Sequence, residues 1–364
     1  MVRHKAFKTE RALQQFARDI VPAHVYSSTA YYLNPEEEMD RKTWLGADLT
    51  FDVDADHIAT PCKLQHDISV CVNCGARRTA PSQRRCPKCN SDKVREQVWM
   101  CDTCLDAARV EAVKLFDFLV EDFGFSKDDV SICFSGHRGY HVHVRSESSR
   151  ELSSDDRKEI VDYMQGAGLD PTLLGYARSR TIEDDKSAGI MERGWRRRLA
   201  LGLEEIIKSS PIEDLLNAGL SRKTADLIVG NRDARSTVTA KAASNIQKAL
   251  GRSSWQKLVQ AAVARKSARL DTVVTTDINR LIRIPGTLHG KTGLLAMKID
   301  KIDGFDPFAD AIAFKGEQSV YVNWAPRFRI GDETLGPYEN QKVTLPLAAA
   351  ILLICKGSAT ALGE

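Results

Sequence analysis

Apolar and polar positions along the chain change period several times, and each change marks an element. Glu10 to Ile20 reads as a helix. An aromatic stretch from Tyr26 to Tyr32 and the acidic loop Pro35 to Asp40 follow, with no evident chemistry. Leu49, Phe51 and Val53 then alternate with Thr50, Asp52 and Asp54, which predicts a strand with its carboxylates on one face. Asp48 and Asp56 share that parity. Leu105, Ala108, Ala112, Leu115, Phe116 and Leu119 recur at nearly helical spacing up to a stop at Gly124. Val130 to Phe134 predicts a buried strand and Tyr140 to Val144 a second, joined as a hairpin by the polar turn Ser135-Gly136-His137-Arg138-Gly139. From about Glu151 to Lys266 the text is mostly helical and polar, with helix starts at Ser154, Pro211, Ser221, Thr239 and Ser253. Leu270 to Ile299 predicts a short strand, a helix from Thr276 to Ile282, a Pro-Gly turn, a basic loop and another strand. The apolar stretch Leu345 to Cys355 reads as a packing or partner helix, too short to span a bilayer.

One block, 62–104, has no apolar period and is rich in Cys, Arg, Lys and Pro, so something other than a hydrophobic core must order it. Seven of the nine cysteines fall here, six of them in three Cys-x-x-Cys pairs, and the chain opens with no apolar signal core, which argues metal ligation over disulfides. Cys71, Cys74, Cys86 and Cys89 make a four-thiolate zinc ribbon pattern; Cys62, His66, Cys101 and Cys104 enclose it as a second, Cys₃His set. Both sets look closed and structural. Cys133 and Cys355 lie in apolar runs and read as core. The 364 residues, 43% hydrophobic, are enough for one large domain or a few smaller ones. With 52 Lys+Arg against 49 Asp+Glu, any surface for nucleic acid must be local.

Asp52 and Asp54, two apart on a strand, are hard oxygen ligands suited to Mg²⁺ or Mn²⁺ bridging to phosphate. Ser135 and Arg138 can donate to an anion that the glycines of the hairpin turn let approach, and His141 and His143 leave the same strand face. Arg280, Arg283, His289 and Lys291 surround the Pro-Gly turn, and Asp271 and Asp277 are available as third carboxylates. Each group alone is a weak signal: the carboxylates read more readily as a solvated strand face, either histidine as a hydrogen-bonded strand residue and the cations as a solvated basic loop. Together they describe a nucleotidyl-transfer site in which metals clamp the reacting oxygens and cations hold a triphosphate.

At these residues the chain resembles the catalytic small subunit of the archaeal and eukaryotic DNA primases. FDVDAD is similar to its metal-binding Asp-x-Asp, SGHRGYHVHV to its phosphate hairpin and RLIRIPGTLHGKTGL to its third motif, with the last two suggesting the archaeal branch. The resemblance implies an α+β primase fold: a mixed sheet flanked by helices, with a zinc insertion and an inserted helical subdomain. Residues 1–61, 105–195 and 266–325 would form the catalytic domain, 62–104 the zinc-binding region, 196–265 the helical insertion and 326–364 a C-terminal segment. Asp52, Asp54 and Asp271 would bind the catalytic metals, with Asp277 the fallback. Ser135, Arg138, His141, Arg283, His289, Lys291 and Arg3 would contact the nucleotide. Cys62, His66, Cys101 and Cys104 match the family's usual knuckle, into which the Cys71–Cys89 ribbon is an insertion, and the chain begins at the strand following the family's Arg-Glu-Phe segment. Expected partners are nucleoside triphosphates, single-stranded DNA and a large subunit with an iron-sulfur domain, in the cytoplasm at the nucleoid and away from membrane. The rival expectations are a primase-like repair or bypass polymerase and a non-catalytic zinc-ribbon nucleic-acid-binding protein.

Overall fold

The computed structural model describes residues 2–79, 85–176, 193–230 and 250–363. It mixes helices with several small sheets, as expected of an α+β chain, and divides into two compact units.

The larger unit, 1–116, 126–158 and 269–364, is built on a four-stranded antiparallel sheet in the order Met297–Ile299, Val130–Phe134, Gly139–Val144, Leu49–Asp54. Its register sorts the two faces. Val53, Tyr140 and Phe134 lie in one row, Phe51, Val142 and Ile132 in the next, and Leu49, Val144 and Val130 in a third, all buried. The opposite face carries Asp52, His141 and Cys133 in one row and Thr50, His143 and Ser131 in another. The alternation of the sequence thus becomes one dry face and one chemical face. Leu105, Ala108, Ala112 and Leu115 of the helix Asp102–Asp117 are buried as its spacing predicts.

The aspartate strand is the sheet's edge, and an edge presents unpaired backbone groups. The Asp52 carbonyl is satisfied by the Asp271 N–H at 3.0 Å. Asp271 caps the one-turn helix Thr272–Thr276, its side chain accepting from Val273 N–H. Here the segment departs from expectation: Thr272–Thr276 is helix where a strand was predicted, and Leu281–Arg283 is a strand where Thr276–Ile282 was predicted helical. The β-branched run Thr272 to Thr276 favours a strand locally, but the cap and the tether to Asp52 override it. Asp277 then accepts from Asn279 N–H, ending the turn, and Leu281–Arg283 pairs with Tyr26–Ser28.

The C-terminal strands Glu317–Ala325, Tyr338–Pro346 and Ala359–Ala361 form one antiparallel sheet, against which the helix Leu347–Cys355 packs Ala349, Leu352 and Leu353. Leu345 belongs to the strand before that helix, so the predicted packing helix starts two residues later.

The second unit, 117–125 and 159–268, is helical and takes in more chain than the 196–265 drawn from the sequence. Phe118, Tyr163 and Trp195 meet as an aromatic cluster, and Arg198 pairs with Asp122 at 2.7 Å. Helices Gly194–Ser209 and Arg252–Lys266 approach closely at Gly202, where a Cβ would stand 3.1 Å from the Ala262 carbonyl. Helices begin at or next to Ser154, Pro211, Ser221 and Ser253 as predicted; the start at Thr239 lies outside the described residues. Among the described residues no helix is long and apolar enough to cross a membrane.

Gly139 pairs with Asp54, and a Cβ there would collide with the Val53 carbonyl. Gly139→Ala should therefore push the hairpin off the aspartate strand and cost more than about 2 kcal/mol, read as a lowered Tm. Retention of wild-type Tm would show that the two strands are less tightly joined.

Candidate active site

A cleft of about 190 Å³ opens over the chemical face and is lined by Asp52, Asp54, Ser135, His137, Gly139, His141, Arg280, Arg283 and His289, with Tyr26 and Val274 beside them. It gathers the aspartate strand, the hairpin turn and the basic loop into one place.

Asp52 lies opposite His141 in the ladder, its Oδ1 3.6 Å from His141 Nε2. Burial, then the charges of Asp54 and Asp271, hold the Asp52 carboxyl up at about 6. Burial likewise raises Asp54, against Arg138, His57, Lys63 and Lys291. Asp271 is thus the third carboxylate whose charge reaches Asp52; it and Asp277 each accept from the N–H two residues on, so that local bond does not distinguish them. Asp271 stands at a helix cap rather than on a strand. A half-buried carboxylate whose ionisation two neighbouring carboxylates oppose, with Arg280 and His57 only partly offsetting them, belongs to a donor set that a divalent cation neutralises, so the three residues fit Mg²⁺ or Mn²⁺. Asp48 and Asp56 are employed elsewhere: Asp48 accepts from Tyr31 Oη at 3.0 Å, and Asp56 pairs with Arg138.

The hairpin turn and the basic loop are locked together. Ser135 Oγ accepts from the His137 and Gly139 N–H groups, both at 3.3 Å. Gly136 has φ +79°, and a Cβ on it would stand 2.9 Å from His289 Cβ. Thr292 Oγ1 donates to the Gly136 carbonyl at 2.5 Å, and His289 N–H to the Leu294 carbonyl at 2.8 Å. His137 and His289 consequently stack, centroids 4.8 Å apart and planes 4° from parallel. Burial, then neighbouring cations, depresses His289 to about 3 and His141 to about 3, so both imidazoles are neutral donors near pH 7. Arg283 is fixed by the Leu288 carbonyl (3.0 Å), Tyr26 Oη (2.9 Å) and His24 Nδ1 (3.1 Å). A cation held this way is a preorganised electrostatic group.

Of the residues expected at the nucleotide, Ser135, His141, Arg283 and His289 line the cleft, whereas Arg138, Lys291 and Arg3 do not. The Arg138 side chain is buried against Asp56, its charge falling on Asp54. Lys291 is exposed beside His289, and its charge also reaches Asp54. His143 is buried behind the cleft, 3.4 Å from Thr50 Oγ1. His24, Tyr26 and His137 were missed. His137 stood inside the quoted hairpin motif, but nothing local marked His24 or Tyr26, which reach the site only through the pairing of Tyr26 with Arg283.

In the block 62–104, each of the two sequence-predicted quartets converges: Cys62, His66, Cys101 and Cys104 in one, Cys71, Cys74, Cys86 and Cys89 in the other, ligand atoms within 4.8 Å of one another. The sulfurs of Cys62 and Cys104 are 3.3 Å apart, those of Cys71 and Cys89 3.5 Å and those of Cys74 and Cys86 3.6 Å. That is far beyond a disulfide and close to the about 3.7 Å edge of a tetrahedron with zinc–sulfur bonds near 2.3 Å. His66 Nδ1 meets Asp67 Oδ1 at 2.8 Å, leaving Nε2 toward Cys104 Sγ at 3.5 Å, the orientation a carboxylate gives a zinc-binding histidine. The inner quartet is carried by a three-stranded sheet, Arg77–Thr79, Ile68–Cys71 and Val94–Gln97. Both quartets could hold zinc.

A sequence model described as the DNA primase small subunit matches residues 89–300. The chain is 30% identical over 362 residues to the DNA primase small subunit of Nitrosopumilus maritimus, covering 99% of this chain and 88% of that protein. It is 34% identical over 363 residues to the Archaeoglobus fulgidus protein of the same description, covering 99% and 86%. With that of Methanothrix thermoacetophila it shares 32% over 387 residues, covering 99% and 89%.

Two outcomes follow from this geometry. Asp52 rises from 3.8 to about 6 on folding, so its charge costs stability that is absent below 3.8 and fully felt above about 6. Asp52→Asn should then stabilise metal-free protein at pH 7.5 by up to about 3 kcal/mol, and Mg²⁺ should raise the Tm of wild type more than that of the variant. An unchanged or lower Tm for metal-free Asp52→Asn would contradict the crowding of the three carboxylates. Elemental analysis should count two zinc ions per chain, with Cys74→Ser and Cys101→Ser each losing one; a count that neither variant lowers would refute zinc at these quartets.

Proposed function

The chain belongs to the DNA primase small subunit family, whose activity is nucleotidyl transfer in its general form, and from that premise we propose that it synthesises short primers from nucleoside triphosphates on single-stranded DNA. The observation that carries this is the convergence of Asp52 and Asp54, with the charge of Asp271 reaching Asp52, on a cleft that Ser135 and His137 of the hairpin turn and Arg280, Arg283 and His289 of the basic segment also line. When bound at those aspartates, Mg²⁺ or Mn²⁺ would supply Lewis-acid stabilisation of the charge that develops at the α-phosphate and the pyrophosphate leaving group.

The protein's own groups divide the remaining work. Arg280 and Arg283 present fixed positive charge to the triphosphate, Arg283 without the freedom to swing away. Ser135, His289 and His137 offer hydroxyl and N–H donors along the same wall, and Lys291 brings a mobile charge at its rim. His141, neutral and with Nε2 toward Asp52, has one N–H to give, which orients that carboxylate; its depressed pKa disfavours a general-base role. Arg138 sets the potential at Asp54 from its pairing with Asp56. The nucleotide is thereby held at its phosphates, which leaves base choice to the template. Starting a chain without a primer needs two nucleotides positioned at once, so a large subunit is the expected partner, as the family implies.

The experiment is synthesis on unprimed single-stranded DNA with Mg²⁺ or Mn²⁺, with and without the large subunit. Wild type should make primers, and Asp52→Ala should lose roughly a hundredfold or more of the rate. Extension of primed templates alone, unaffected by the large subunit, would favour a repair or bypass polymerase; incorporation unchanged in Asp52→Ala would overturn the catalytic assignment.

A further inference from the structure

Lys356 follows the C-terminal helix as its cap and is buried, although it is a lysine on no ladder and in no recognised motif. Its ammonium donates to the Val98 carbonyl at 2.8 Å and reaches His137 Nε2 at 3.4 Å. Its backbone is tied to the same neighbour segment, the Gln97 side chain donating to the Lys356 carbonyl at 3.3 Å and to Ser358 Oγ. Anchored at both ends, the side chain has little freedom to leave His137. Burying a lysine is costly unless its charge is used. Burial, Arg138 and Lys291 press its pKa down to about 7, with Asp67 and Cys355 pressing the other way.

His137 lines the cleft and is stacked on His289. With Lys356 as the donor to Nε2, the His137 proton sits on Nδ1 and the ring is fixed about that bond. We propose that Lys356 is a positioning residue for the phosphate cradle, holding the stacked His137–His289 pair in register for the triphosphate through its hydrogen bond to His137. The proposal rests on the nucleotidyl-transfer reading of the cleft. Without it, Lys356 would be a helix cap whose loss touches stability alone.

The test is steady-state kinetics of nucleotide incorporation by the full chain with its large subunit. Lys356→Met should raise the nucleotide KM by about tenfold with kcat within about twofold, and Lys356→Arg should restore KM to within about threefold. On a His137→Ala background Lys356→Met should add less than about twofold, because both changes break one link. An unchanged KM in Lys356→Met, or effects that multiply in full on His137→Ala, would overturn the proposal. If Lys356→Met does not fold, nitrogen-resolved histidine NMR of the wild type decides: Nδ1–H with an accepting Nε2 on His137 is required, and Nε2–H refutes it. That NMR result stands even if no primer is made, so failure of the cleft's assignment and failure of the lysine's role are separable.

Discussion

Three half-buried carboxylates act on one corner, and the rest of the site is arranged around the repulsion that this creates. Asp52 is held up at about 6 because burial and the charges of Asp54 and Asp271 all oppose its ionisation. A fold tolerates such a corner only if something positive occupies it at work, and the folded chain accepts the strain beforehand. The corner is assembled by backbone: the ladder sets Asp52 against His141, and the Asp271 N–H closes the sheet's open edge on the Asp52 carbonyl. One hydrogen bond both satisfies an edge strand and delivers the third carboxylate from more than two hundred residues away.

Opposite this corner, cationic and neutral donors are preorganised by contacts among themselves. Gly136 packs on His289, Thr292 bonds the Gly136 carbonyl, and Arg283 is held by a carbonyl, a phenol and an imidazole. Groups fixed before the ligand arrives need little reorganisation when charge develops, which is where electrostatic catalysis gains most. The quartets that could hold zinc contribute at a distance. Trp99 N–H donates to the same Asp67 carboxylate that orients His66, and the adjoining Val98 carbonyl receives Lys356. The segment of Val98 and Trp99, between the quartets' ligands, thus borders the wall of the cleft through Lys356 and His137.

Much of this was legible in sequence where the signal was local. The alternation through Asp52 and Asp54 predicted the strand and its acidic face, and Cys-x-x-Cys spacing identified both quartets, because period and spacing act over a few residues. The α+β class and the family followed from motifs standing in order. Where the signal was tertiary, local propensity misled. Thr272 to Thr276 looks like a strand and is a capped turn of helix because Asp271 is tethered to Asp52. Arg138, expected at phosphate, turns to Asp56, and His24, Tyr26 and Lys356 reach the site only across long sequence separations. Composition and periodicity carry no trace of such contacts.

A crystal structure of the chain with Mn²⁺ and a non-hydrolysable nucleoside triphosphate, using anomalous scattering to locate the metal, tests the three-carboxylate corner most directly. Manganese peaks should stand among Asp52, Asp54 and Asp271, with the phosphates running from there toward His289 and Arg283. Manganese elsewhere, or a triphosphate lying away from the Asp52 corner, would contradict this placement.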